Sequence, residues 1–300
     1  MFFATGNDEV RWTLAGVTNV GPHDDGLRLR LGQWLASRQG ADVLGDLHQG
    51  LELVDSPEVE ARLLRTFVST PTPGDTAIPV TAATVAALAD RRDGKRVRAK
   101  LDRMREARDL VTATCPALGD VLETVIHRIF IAELDKEVGG SSTTSVGVIW
   151  ANPTPAATAW DLAEFLVHEL THQVLFLDEQ VHGHYTDRAA SESGSNGFLP
   201  RSTIRRARRP LGPVFHSLAV ALELIAFRER AGERYVPALH PKTETLLGAC
   251  QATIESIVWE RDWQAHFRSR GLFLFERYRD LWDRLVAHHP GVLPGLLRLD

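Results

Sequence analysis

The five residues His168-Glu169-Leu170-Thr171-His172 constrain this chain more than any other segment. They lie within residues 161–177, where Leu162, Phe165, Leu166, Leu170, Val174 and Leu177 recur at helical spacing, so the segment predicts an α-helix with a buried apolar stripe. Thr158 and Asp161 read as a capping box at its start. On a helix, residues i and i+4 share a face about one turn apart, so both imidazoles can reach one metal ion. Glu169, between them, falls at the edge of that face, where it can hold or deprotonate a water at the metal. Roughly 0.03 such motifs are expected by accident in a chain this long, which favours a metal site over two satisfied core histidines.

The remaining composition sets bounds. At 300 residues the chain can form one large domain or two small ones. A net charge of -5 gives no general attraction to nucleic acid or to an anionic membrane, and neither is expected as a partner. No apolar stretch is expected to approach the ~20 residues needed to span a bilayer. The start, Met1 to Asp8, has neither a basic segment nor a long apolar one and does not read as a signal peptide, so a cytoplasmic protein is expected. Cys115 and Cys250 are far apart, lack metal-ligand spacing, and are expected to pack as small hydrophobes.

The first hundred residues read as helices broken by turns, at 25–38, 41–53 and 57–67, with a loop at Thr70–Asp75. Residues 80–110 read as a charged helix that Asp93-Gly94 can split, its charges forming a solvated face. Pro116 opens a stronger helix with a stripe of Leu118, Val121, Leu122, Val125, Ile129 and Ala132, expected to end at Gly139-Gly140; His127 within it reads as structural. Residues 144–150 are short, β-branched and bounded by glycines, and form the best strand. Beyond the motif come a loop at 192–197 and five arginines, Arg201, Arg205, Arg206, Arg208 and Arg209. Helices at 214–231, 243–267 and 272–289 follow, with Trp259, Trp263 and Trp282 expected in the core.

Helix, strand, loop and motif helix is the order of a zincin-like metal-binding core. The expected fold is therefore α+β and mostly helical, with a helical region over 1–110 and a catalytic core with C-terminal helices over 111–300, either as two parts or as one continuous domain.

Two histidines do not hold a catalytic metal alone, so a third protein ligand is required. His182 and His184 follow the motif closely, but His182-Gly183-His184 lacks the metzincin ending. On the helix from Val214, His216 and Glu223 lie two turns apart on one face, beside an apolar stripe. Glu223 would complete the His2Glu set of gluzincin peptidases, whereas His216 would give a three-His set that suits Fe(II), Zn(II) or Cu(II). The residue of this pair that is not a ligand can orient a ligating histidine.

Residues 147–227 resemble the HExxH-motif proteins associated with ribosomally synthesised, post-translationally modified peptides, described as 2-oxoglutarate-dependent peptide β-hydroxylases. The resemblance rests on Gly147-Val148-Ile149, on Leu166 to His172, and on Arg205 through Arg209-Pro210-Leu211-Gly212-Pro213-Val214-Phe215-His216. The chain departs from the family in Ile204, where a Trp is expected, and in Arg208, where a Pro often stands. The resemblance covers roughly a quarter of the chain and says little about residues 1–110. It implies an Fe(II), 2-oxoglutarate-dependent oxygenase acting on a precursor peptide, with His168, His172 and His216 as ligands and Glu169 as an orienting group. Such an enzyme also needs a cation for the distal carboxylate of the keto acid, and Arg205 or Arg209 can pair with it bidentately. The alternative is a zinc metallopeptidase, with His168, His172 and Glu223 on zinc, Glu169 activating water and the 146–150 strand lining an extended peptide. A noncatalytic binding module on a degenerate peptidase fold is the third reading.

Overall fold

The computed structural model describes residues 2–39, 41–44, 50–68, 82–133, 139–232 and 238–290. The first elements are α1 (Phe2–Thr5), α2 (Asn7–Thr18), α3 (Leu27–Gln39), α4 (Ala41–Leu44), β1 (Glu52–Leu53), α5 (Pro57–Val68) and α6 (Ala82–Arg91). Next come α7 (Gly94–Thr114), α8 (Pro116–Val125), β2 (Arg128–Ile131), β3 (Gly139–Gly140), β4 (Val148–Ala151) and α9 (Ala159–His182). The chain then runs through α10 (Arg188–Ser193), α11 (Leu211–Ala231), α12 (Thr243–Val258) and α13 (Ser269–His288). The fold is α+β, mostly helical, with one small mixed sheet. Two compact units divide the chain: Arg11–Leu177, and Met1–Val10 together with Asp178–Asp300.

The unit Arg11–Leu177 is built on the sheet, ordered β1-β2-β4-β3. Strands β1, β2 and β4 are parallel, with Ile129 opposite Ile149 and Phe130 opposite Trp150, and β3 runs antiparallel on the edge. Every residue of β2 is buried, as expected of a parallel strand covered on both faces. Asp93 caps α7 by accepting from Lys95 N at 2.9 Å, so the Asp93-Gly94 split occurs where the sequence indicates it.

Several expectations need correction. The helix from Pro116 stops at Val125, and Ile129 lies in β2 with Ala132 just beyond it, not on a helical stripe. Ile126 already has extended backbone, and a continuous buried run such as Ile129-Phe130-Ile131 has no period that separates strand from helix. Gly139-Gly140 ends no helix; it is β3, paired with Trp150 and Ala151. The segment expected as one helix over 41–53 is α4, and Glu52–Leu53 pairs with β2 instead. The strand expected at 144–150 is Val148–Ala151, preceded by a turn ending at Gly147, whose φ of +88° favours glycine. Thr70–Asp75 lies outside the described residues.

The second unit is centred on α11, which packs against α1, α10, α12 and α13. At 21 residues, with an 18-residue window of mean hydropathy 1.4, α11 is long and apolar enough to cross a membrane by length and composition, which the sequence reading overlooked; 89% of that window is buried. Phe215, Phe267, Phe275 and Tyr278 fill the surrounding core. Trp259 is not in the core: it is 90% exposed, because α12 buries Cys250, Ile254 and Ile257 on another face. Trp263 and Trp282 are half-buried, and Trp282 Nε1 donates to Leu247 O at 3.1 Å. Cys250 is buried, Cys115 half-buried, and both are free.

Candidate functional site

Helix α9 begins with a complete capping box. Thr158 N donates to Asp161 Oδ2 at 2.8 Å, and Asp161 N donates to Thr158 Oγ1 at 3.1 Å, so two backbone donors at the helix start are satisfied. Gln173, directly after the motif, ties the helix to the sheet. Its Oε1 accepts from Gly147 N at 2.7 Å and its Nε2 donates to Val148 O at 3.3 Å, all within the core. Phe165, one turn before His168, lies where any Cβ on Gly139 would clash, at 2.2 Å from its Cζ, so β3 needs glycine there.

On this anchored helix the His168 and His172 rings stand 5.0 Å apart, centroid to centroid, and both side chains are half-buried. His172 also stacks on Phe176 at 5.9 Å. Burial pushes the His172 pKa down to about 4, so its ring is neutral at pH 7 and keeps the lone pair a metal requires. Glu169 is buried; its Oε2 accepts from Ser141 Oγ at 2.6 Å and its Oε1 lies 3.9 Å from His168 Nε2. Two imidazoles at this spacing, one held neutral, fit a borderline ion such as Fe(II) or Zn(II).

His216 and Glu223 belong to the other unit. His216 is half-buried in the second turn of α11. Glu223 is fully buried, accepts from Phe3 N at 3.1 Å, and receives a hydrogen bond from Tyr278, whose hydroxyl pKa is raised well above its usual value, mainly by burial. Among the described residues no group of three or more His, Cys, Asp or Glu side chains gathers closely enough to hold a metal.

His182 is exposed. His184 is fully buried and committed: its Nε2 lies 2.7 Å from Asp178 Oδ1, and its Nδ1 lies 3.0 Å from Glu179 Oε2, close enough for ion pairing but off the line of a hydrogen bond. Asp178 also takes a bidentate pair from Arg270 Nε and Nη2, and these partners hold its carboxyl well below the usual range despite its burial.

The arginine segment is an ordered loop within the same unit as His216. Arg201 bridges Arg208, Ser202 N donates to Ala207 O at 2.8 Å, and Arg209 N donates to Pro200 O at 3.0 Å. Ser217, next to His216, accepts from Ser202 Oγ at 3.0 Å and from Ile204 N at 2.8 Å. The loop that carries Arg205 and Arg209 is thereby pinned to the turn of α11 that carries His216. Arg205 is exposed and Arg209 half-buried.

Sequence reasoning missed Gln173, Ser141 and Ser217. Gln173 had a signal, being a polar residue three positions after Leu170 and seven after Leu166 on the apolar stripe. Ser141 and Ser217 had none, since their partners are distant in sequence. No known family matches this chain, and no curated protein matches it.

Proposed function

We propose that this protein is a nonheme Fe(II), 2-oxoglutarate-dependent oxygenase that hydroxylates a side chain, at its β-carbon, of a ribosomal precursor peptide in the cytoplasm. The fold around its motif helix is read as a zincin-like core, with β4 and β3 beside α9. His168, His172 and His216 would hold the metal, and Glu169, fixed by the Ser141 hydroxyl, would orient His168. Bound Fe(II) would supply the redox chemistry by which O2 and 2-oxoglutarate convert a C–H bond to C–OH, with release of succinate and CO2. Arg205 or Arg209 would clamp the distal carboxylate of the keto acid, which a planar guanidinium does bidentately.

The observation that carries this reading is the pair of hydrogen bonds from the arginine loop to Ser217. They join the candidate carboxylate anchors and the candidate third ligand in one ordered piece, which an oxygenase needs and a peptidase does not. The hydrogen bonds that Glu223 already accepts favour His216 over it as ligand.

The test is incubation with Fe(II), O2, 2-oxoglutarate and candidate peptides, followed by mass spectrometry. Succinate formation with one oxygen gained by an intact peptide supports the oxygenase. Peptide cleavage without succinate would instead support a zinc peptidase with Glu169 as base.

A further inference from the structure

Arg201, Arg205, Arg206 and Arg208 form no ion pair with any described residue, in a chain whose net charge is -5. Arg205, Arg206 and Arg208 are exposed, and Arg208 Nη1 reaches only the Leu199 carbonyl, at 3.2 Å. A mobile basic loop would be unremarkable, but this one is fixed by two helices. Ser217 of α11 holds Ser202 and Ile204, while on α12 Thr253 Oγ1 lies 2.8 Å from Thr203 Oγ1 and Ser256 Oγ accepts from Arg201 N at 2.9 Å. At the loop tip Arg206 has a φ of +53°, a left-handed conformation that costs a non-glycine residue and persists only where its surroundings impose it.

The same anchor brings in an apolar contact. Ser256 is three residues before Trp259, so the two are neighbours along α12, and Trp259 is 90% exposed. Leu199, at the base of the loop, is also exposed. Of the carboxylates close by in sequence, Glu255 accepts from Gln251 and Asp262 lies 3.8 Å from Arg261, while Glu260, next to Trp259, is exposed and is one negative charge against four guanidiniums.

We infer that the loop 199–208, with Trp259, is a docking surface for an acidic peptide segment, a short run of Asp or Glu next to an apolar side chain. Charge complementarity identifies the occupant. A cluster of guanidiniums without an ion pair among the described residues matches a few successive carboxylates, and the exposed indole of Trp259, one turn along from the Ser256 that holds Arg201, offers an anchor for the flanking apolar residue. The overall negative charge opposes a long polyanion such as nucleic acid. This goes beyond the oxygenase reading by specifying the charge of the peptide, and it holds for any reaction the protein performs.

The experiment is fluorescence anisotropy with the full chain, without metal or keto acid, using labelled peptides of matched length in which Glu, Gln or Lys surround one Leu. The Glu peptide should bind, and its affinity should fall with added salt. Arg206→Gly with Arg208→Gln should weaken it about tenfold, and Trp259→Ala about threefold, the range of exposed contacts. Arg206→Glu with Arg208→Glu should reverse the preference toward the Lys peptide, and that gain would itself show a folded loop. Equal binding of the Glu and Gln peptides, unchanged affinity in the double variant, or equally tight binding of a single-stranded oligonucleotide of the same charge would overturn the proposal. Since succinate formation is assayed separately, failure here is distinguishable from failure of the oxygenase reading.

Discussion

His127 should make the unit Arg11–Leu177 sensitive to acid, by an amount that follows from its surroundings. The ring is 2% exposed, and neither nitrogen has a hydrogen-bond partner among the described residues. Its Cδ2 converges with Leu35 and Leu44 over Gly147, whose carbonyl accepts from His127 N at 2.8 Å. Burial, and then the charges of Arg28 and Arg128, push its pKa from 6.5 to about 3. Above pH 6.5 the ring is neutral in both folded and unfolded chains and contributes nothing to pH dependence. Below it the unfolded chain takes up a proton that the folded chain refuses, so stability falls as pH falls. With those two pKa values the loss is roughly 3 kcal/mol at pH 4.5 and approaches roughly 5 kcal/mol once pH is below 3.

Other groups titrate over the same range, so the measurement is a difference against His127→Leu, which keeps an apolar side chain and removes the titration. Urea unfolding between pH 7.5 and 4.5, with hydrogen exchange at the β2 and β4 amides to report on this unit, gives both stabilities. The stability of the wild type relative to the variant should fall by roughly 3 kcal/mol across that span. A difference that stays flat, or one that grows toward acid, would refute the reasoning by showing that the ring is solvated or finds a partner for its proton.

Other outcomes are expected at the site. His168→Ala and His172→Ala should each abolish metal binding, measured by metal content after dialysis, and near-stoichiometric metal in either variant rules out the site as drawn. His216→Ala should lose metal and activity, whereas Glu223→Ala should weaken activity and keep part of the metal; the opposite pattern moves the protein to the gluzincin class. Replacing whichever of Arg205 and Arg209 anchors the keto acid with Ala should raise the 2-oxoglutarate requirement roughly 10- to 100-fold with metal intact, and Lys should restore only part of it. If neither replacement changes the keto acid dependence, the anchor lies elsewhere or the keto acid is not used. Gln173→Leu should cost about 2–4 kcal/mol in chemical denaturation, because it leaves Gly147 N and Val148 O buried without that partner, and a neutral effect would show that α9 is not held by this contact.

What could be read from the sequence was what is local. The α9 cap, its apolar stripe and the two histidines all fall between Thr158 and Leu177, so one short window holds every determinant of the element. The Asp93 cap is local in the same way. Strand β2 is not, since Arg128–Ile131 becomes a strand by pairing with β1 and β4, about 75 residues before and 20 after it. Trp259 was misassigned because tryptophan is usually buried, whereas the buried face of α12 is set by Cys250, Ile254 and Ile257.

The third ligand shows where spacing ceases to discriminate. His216 and Glu223 are two turns apart on one helix, and by periodicity alone they are equivalent. Their chemistry separates them. A buried carboxylate is retained only if its charge is paired or its oxygens are hydrogen-bonded, and Glu223 meets this within its own unit through Phe3 N and the Tyr278 hydroxyl. It therefore has a reason to be buried that needs no metal: it fastens the N-terminal turn and α13 to α11. His216, half-buried beside the loop that Ser217 holds, has a surrounding that a ligand would use. Metal content of His216→Ala and Glu223→Ala therefore decides the third ligand, and the peptide's mass after reaction decides separately between oxygen insertion and hydrolysis, because three histidines suit Zn(II) as well as Fe(II).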